Sequence, residues 1–174
     1  MTPRATAIPG VLEWQTVAHA DARGSFTRTF CAEAFAATGF RPLQTSLSHN
    51  HHRHTLRGMH VQVPPHAEAK LVRCLAGAIL DVAVDLRPGS PTRLRHVALE
   101  LSAACANALL IPRGFAHGFL TLTDDALVEY MIDAPFVPEA ASGLRFDDPA
   151  LGIAWPATPA VLSERDRAWP LLDG

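Results

Sequence analysis

The chain has 174 residues, 48% of them apolar and 18% charged, with a net charge of −2. That length supports one domain, 1–174, with a substantial core, and no stretch approaches the roughly 18 uninterrupted apolar residues of a membrane span. A slightly acidic chain with a single tyrosine and no long basic run lacks both the electrostatic footprint and the aromatic platform of a nucleic-acid binder, so a small molecule is the expected partner.

The opening MTPRATAIPG has no charged-then-apolar build of an export signal, and the scattered Cys31, Cys74 and Cys105 make no paired framework, so a reducing cytoplasm is expected. CAEAFAATGF is Ala-rich and predicts a short helix ending near Gly39. SHNHHRHT then crowds together His49, His51, His52 and His54, four of the nine histidines. It is a polar, turn-like segment without an ordered ligand spacing such as His-x-His followed by a carboxylate, and reads as a solvated loop. LRGMHVQ reads as a strand with His60 and Gln62 on one face, the imidazole aimed into a cavity.

Downstream, KLVRCLAGAILDVAVDLRPGSPTRLRHVALELS predicts three strands. Its Ala-Gly-Ala turn joins the first two and RPGSPT separates the second from the third, as in an antiparallel meander. Within AILDVAVDL, residues Ala78, Leu80, Val82, Val84 and Leu86 share one face. Asp81 and Asp85 share the other, the period of a strand with one packed and one polar side. ALLIP and ALVEYMI add two more strands. LSERDRAW predicts a second helix with Ser163 as its N-cap. The fold class is mainly β, a sandwich or small barrel with a few short helices.

The turn in IPRGFAHGF supplies Pro112, Gly114 and an interior His117, and Pro-x-Gly-x-x-His resembles the second motif of the cupin barrels. Metal-binding cupins carry His-x-His in their first motif, where this chain has His60-Val61-Gln62. Zinc and ferrous iron prefer imidazole, thiolate or carboxylate to an amide, so no metal is expected at these histidines. Lys70 and Tyr130 are the only lysine and the only tyrosine. Strand parity allows either to reach a barrel interior, and equally allows both to be ordinary strand or surface residues.

At DARGSF, LRGMHVQ, AKLVRCLAG, DVAVDLRPGSPT, IPRGFAHGF, EYMI, GLRFDDPALGIAWP and LSERD, in that order, the chain resembles the nucleotide-sugar 3,5-epimerase family typified by dTDP-4-dehydrorhamnose 3,5-epimerase. The resemblance implies a cupin-like jelly roll, a homodimer that exchanges strands, and no metal or other cofactor. The implied substrate is a nucleoside-diphosphate-linked 4-keto-6-deoxy sugar. By the same resemblance His60 is the base paired with Asp166, Tyr130 is the opposing acid, and Lys70 lies near the C4 oxygen. Gln44, Ser46, Arg57, Gln62, His117 and Phe136 match substrate-contacting positions, and Arg23 with Phe26 matches an element that grips the nucleotide diphosphate.

Such chemistry suits these residue types. A 4-keto group acidifies the C–H bonds at C3 and C5, a neutral imidazole can accept a proton near pH 7, and a phenol still protonated there can return one from the other side.

Four positions depart from the family's usual pattern. Arg28 and Ala141 stand where glutamates are common, Ser46 replaces an asparagine, and Phe136 replaces a tyrosine. An always-charged donor at Arg28 changes what can be recognised there, so the base need not be thymine. The lost hydroxyl at Phe136 leaves single epimerisation at C3 or C5 open. Two other readings keep the same barrel: a metal-dependent cupin oxygenase or isomerase using His60, His117 and part of the histidine run, and a non-catalytic nucleotide-sugar binding cupin.

Overall fold

In the computed structural model, which describes residues 1–172, the short apolar runs between glycines and prolines become strands of two main sheets. The first sheet contains β1 (Thr2–Ala5), β2 (Leu12–Gln15), β5 (Gln44–Asn50), β7 (Lys70–Ala76), β10 (Ala108–Ile111) and β12 (Ala126–Ile132), in the order β1-β2-β10-β7-β12-β5. The second contains β6 (Thr55–Gln62), β8 (Ala78–Asp85), β9 (His96–Ser102), β11 (Phe115–Thr121) and β13 (Ala141–Gly143), in the order β13-β6-β11-β8-β9. From β5 to β8 the chain changes sheet at every step, the winding of a jelly roll. Side chains from both sheets interdigitate in one core, including Val72, Ile79, Leu109, Phe119 and Val128.

Two expectations need correction. The Ala-Gly-Ala turn does not make a hairpin: Gly77, at φ +74°, carries the chain from the first sheet into the second, and β7 and β8 are not paired. The meander holds only for β8 and β9, which pair antiparallel across RPGSPT. The Asp81 face of β8 is also not an outer polar face, because Asp81 and Asp85 are fully buried. Ile79 and Ala83, which share their parity, face the core between the sheets. Leu80, Val82 and Val84 are the outer face, and they are covered by Phe146, Leu151, Ile153 and Trp155 of the C-terminal segment.

Asp85 fastens the turn after β8. Its carboxylate accepts from Arg87 Nη2, Ser90 Oγ and Thr92 Oγ1, each at 2.7 Å. Burial pushes its pKa up, but the Arg87 guanidinium and the two hydroxyls outweigh that and hold the carboxyl well below the usual carboxylate range. An unfolded Asp titrates near 3.9, so this stabilisation is complete above that pH. It is lost as pH falls, because the unfolded chain takes up the proton first. Asp85→Asn is expected to lower stability at pH 7 and to flatten its decline between about pH 5 and pH 2. Urea unfolding at several pH values checks this, and equal acid losses in the two proteins would contradict it.

The helices fall where the sequence places them. Ala32–Phe35 forms α1 and continues as a 3-10 turn to Thr38, closed by Gly39 at φ +73°. Its buried Phe35 stacks on Trp14 at 3.9 Å. Glu164–Arg167 forms α2, and the Ser163 side chain accepts from the Asp166 backbone N–H as its N-cap. The histidine run is only partly a loop: His49 lies in β5, the strand ends at Asn50, and the bend begins at His52. A separate hairpin of β3 (Ala18–Asp21) and β4 (Gly24–Thr27) is almost entirely exposed.

Candidate active site

A cleft of roughly 340 Å³ opens between the sheets, with His60 and His117 on one wall and Lys70 and Tyr130 on the other. The histidines are register partners on β6 and β11 of the second sheet. Lys70 and Tyr130 stand on β7 and β12 of the first.

His60 Nε2 lies 2.6 Å from Asp166 Oδ1. Asp166 is held by its surroundings: Oδ2 accepts from the Gly58 N–H at 3.3 Å, and its own N–H donates to Ser163 Oγ at 3.0 Å. Burial raises its pKa, but the bond and charge of His60, with the Gly58 and Ser163 contacts, more than offset that and keep the carboxyl below its ordinary value. Against an ionised Asp166, Nε2 must be the donor, which leaves Nδ1 as the basic nitrogen of a neutral ring. The arrangement depends on glycine. Gly58 sits at φ +140°, and a Cβ there would lie 2.5 Å from Gly118 Cα on the neighbouring strand.

A second imidazole–carboxylate pair lies deeper. His117 Nε2 is 2.7 Å from Asp81 Oδ1, and both side chains are almost wholly buried. The Tyr130 ring meets His117 edge-on, with centroids 5.9 Å apart and planes at 77°. Burial raises the Tyr130 pKa and the charge of Asp81 raises it further, while Arg57 and Ser48 offset only part of the rise. The phenol is therefore protonated at neutral pH.

Lys70 is 9% exposed, and its Nζ is 2.8 Å from Glu68 Oε1. Glu68 Oε2 in turn accepts from Gln62 Nε2 at 2.7 Å, and Gln62 Oε1 accepts from the Val137 N–H at 2.7 Å. Gln62 thus lines the cleft while its amide braces the glutamate that positions Lys70. Arg57 is set by Asn50, whose Oδ1 accepts from Arg57 Nε at 2.7 Å. Arg57, Lys70 and Arg165 against the single carboxylate of Glu68 leave the cleft lining net cationic, a setting that favours an anionic ligand.

Gln44, Ser46, Phe136 and Ala141 also line this cleft. Three other residues singled out from the sequence do not. Arg23 pairs with Asp21 on the β3–β4 hairpin at 2.6 Å, and Phe26 on the same hairpin is 74% exposed. Arg28 lines a separate surface depression with Phe26. Sequence reasoning missed Asp81, Glu68, Asn50 and Arg165. Only Asp81 carried a signal: its parity with Ile79 and Ala83 on β8, once the inner face is known.

A family model described as dTDP-4-dehydrorhamnose 3,5-epimerase matches residues 5–174. The dTDP-4-dehydrorhamnose 3,5-epimerase of Sinorhizobium fredii is 46% identical over 157 residues, 87% of this chain and 80% of that one. Among solved structures, the dTDP-4-dehydrorhamnose 3,5-epimerase of Bacillus anthracis, with TDP and PPi bound, superposes with a TM-score of 0.94 at 36% identity, covering 98% of this chain and 99% of that chain. ChmJ of Streptomyces bikiniensis, a 3'-monoepimerase in complex with dTDP-quinovose, gives 0.89 at 35% identity, covering 95% and 85%.

Proposed function

Because the chain belongs to the dTDP-4-dehydrorhamnose 3,5-epimerase family, we propose that its cleft inverts C3, C5 or both in a nucleotide-linked 4-keto-6-deoxy sugar, dTDP-linked by family. The observation that carries the reading is His60 on one sheet, held by Asp166 of α2, with Lys70 and Tyr130 on the other sheet.

The 4-keto group makes the flanking C–H bonds acidic, since the electron pair left behind delocalises onto the carbonyl oxygen. His60 takes the proton, and Asp166 fixes its tautomer and steadies the imidazolium. Lys70, already placed by Glu68, offsets the charge developing on the C4 oxygen. A preorganised donor of this kind typically lowers the barrier by about 3 kcal/mol. Reprotonation from the same side would restore the substrate. Tyr130, across the cleft, delivers its own phenolic proton from the other side and inverts the carbon. Release of the proton held by His60 and reprotonation of the phenolate reset both groups. The reaction is redox-neutral and moves only protons.

The reading includes a homodimer. A two-stranded hairpin is marginal by itself, yet β3–β4 is exposed and carries Arg23 and Phe26 away from its own cleft. Exchange between two copies would give the hairpin a partner and would bring these residues to the nucleotide of a neighbouring site. A cytoplasmic setting agrees with the three free thiols of Cys31, Cys74 and Cys105.

The test incubates the protein with dTDP- and CDP-linked 4-keto-6-deoxyglucose in heavy water and follows deuterium at C3 and C5. Exchange with inversion at one or both carbons is expected, and the pattern separates single from double epimerisation. If the folded protein exchanges neither carbon with any nucleotide tried, the reading fails.

A further inference from the structure

The histidine run holds a feature the epimerase reading does not use. His49, at the end of β5, and His51, the first residue after that strand, converge on Asp125, which sits just before β12. His49 Nε2 lies 3.4 Å and His51 Nδ1 3.5 Å from the same oxygen, Asp125 Oδ1. The ligand atoms of all three residues are within 4.8 Å of one another, and all three residues are exposed.

Both contacts are longer than the 2.7–3.2 Å of an N–H···O hydrogen bond. They match a different geometry. Two bonds of about 2.0–2.2 Å from imidazole nitrogen and carboxylate oxygen, set at a tetrahedral angle, put the two donor atoms roughly 3.3–3.5 Å apart. We propose that His49, His51 and Asp125 form a site for one divalent ion of the zinc type, outside the cleft, with water completing the coordination. Two imidazoles and one carboxylate select zinc, cobalt, nickel or copper over magnesium and calcium, which favour all-oxygen sets.

The site also has a structural consequence. Asn50, between the two histidines, is buried. Its Nδ2 donates to the Ser48 and Ala126 carbonyls at 3.1 and 3.2 Å, and its Oδ1 holds Arg57. An ion shared by His49, His51 and Asp125 therefore pins β5 to the start of β12 on either side of the residue that sets Arg57. Binding to the folded chain alone raises its melting temperature.

The test uses untagged protein stripped with chelator and titrated calorimetrically with Zn²⁺, Co²⁺, Mg²⁺ and Ca²⁺, with no substrate present, so that the outcome is independent of the epimerase reading. One Zn²⁺ or Co²⁺ per chain is expected, with a higher melting temperature and no comparable response to Mg²⁺ or Ca²⁺. His51→Ala and Asp125→Asn should each weaken binding at least about tenfold, the lower bound for losing even an outer partner of a metal site. Both should also remove the melting shift. His52→Ala changes a neighbouring imidazole outside the cluster and should bind like wild type. The proposal is overturned by the absence of stoichiometric Zn²⁺ or Co²⁺ binding. It is equally overturned by unchanged affinity in both cluster variants, or by an equal loss in His52→Ala.

Discussion

His60→Ala is expected to abolish deuterium incorporation at both C3 and C5 and to lower turnover by about 10²–10⁴-fold, the usual contribution of a positioned general base. The loss should fall on the chemical step rather than on binding. Arg57, Lys70 and Arg165 still line the cleft in the variant, so nucleotide-sugar affinity should stay within a few-fold of wild type. Asp166→Asn separates charge from shape. It nearly preserves the volume beside His60, but it removes the anion that selects the Nε2–H tautomer and stabilises the imidazolium. Turnover should fall in the same direction, with a smaller loss than in His60→Ala. Single-turnover exchange measured by NMR, with calorimetric binding of the nucleotide sugar, distinguishes these effects. Wild-type exchange by folded His60→Ala would remove the base from the proposed mechanism.

Much of this arrangement was legible in local sequence pattern, because strands announce themselves by alternation and turns by Gly and Pro. LRGMHVQ placed His60 and Gln62 on one face of a strand, and the Ser163 cap placed α2 with Asp166 inside it. Parity says which residues share a face, but not which face is the inside. In β8 the aspartate face looked like solvent because the alternative face was apolar. The C-terminal segment covers that apolar face instead, and leaves Asp81 between the sheets beside His117. The Ala-Gly-Ala turn failed for a related reason, since a glycine at positive φ serves a sheet-to-sheet crossing as well as a hairpin. Glu68 and Asn50 had no periodic signal at all. One lies in an irregular segment before β7 and the other inside the histidine run, and their roles arise from contacts made only in three dimensions.

Tyr130→Phe should uncouple the two proton transfers. Removing the hydroxyl leaves the ring against His117 and Phe119, so packing and folding should be nearly unchanged. The His60–Asp166 pair is untouched by the change. Deuterium exchange at the carbon His60 addresses should therefore persist within about tenfold of wild type, while inversion falls by about 10²–10⁴-fold, the range for a lost general acid. Retained exchange with lost inversion has no simple explanation as misfolding, which would take both. It requires a base that works and an acid on the other side that is missing. Burial and the Asp81 charge hold the phenol protonated above its ordinary range. Wild-type inversion should thus show no alkaline loss through Tyr130 below about pH 10, the ordinary phenol value. Inversion by Tyr130→Phe at the wild-type rate would transfer the donor role to another group. The buried His117–Asp81 pair would then be the first candidate, because its imidazole meets the Tyr130 ring edge-on.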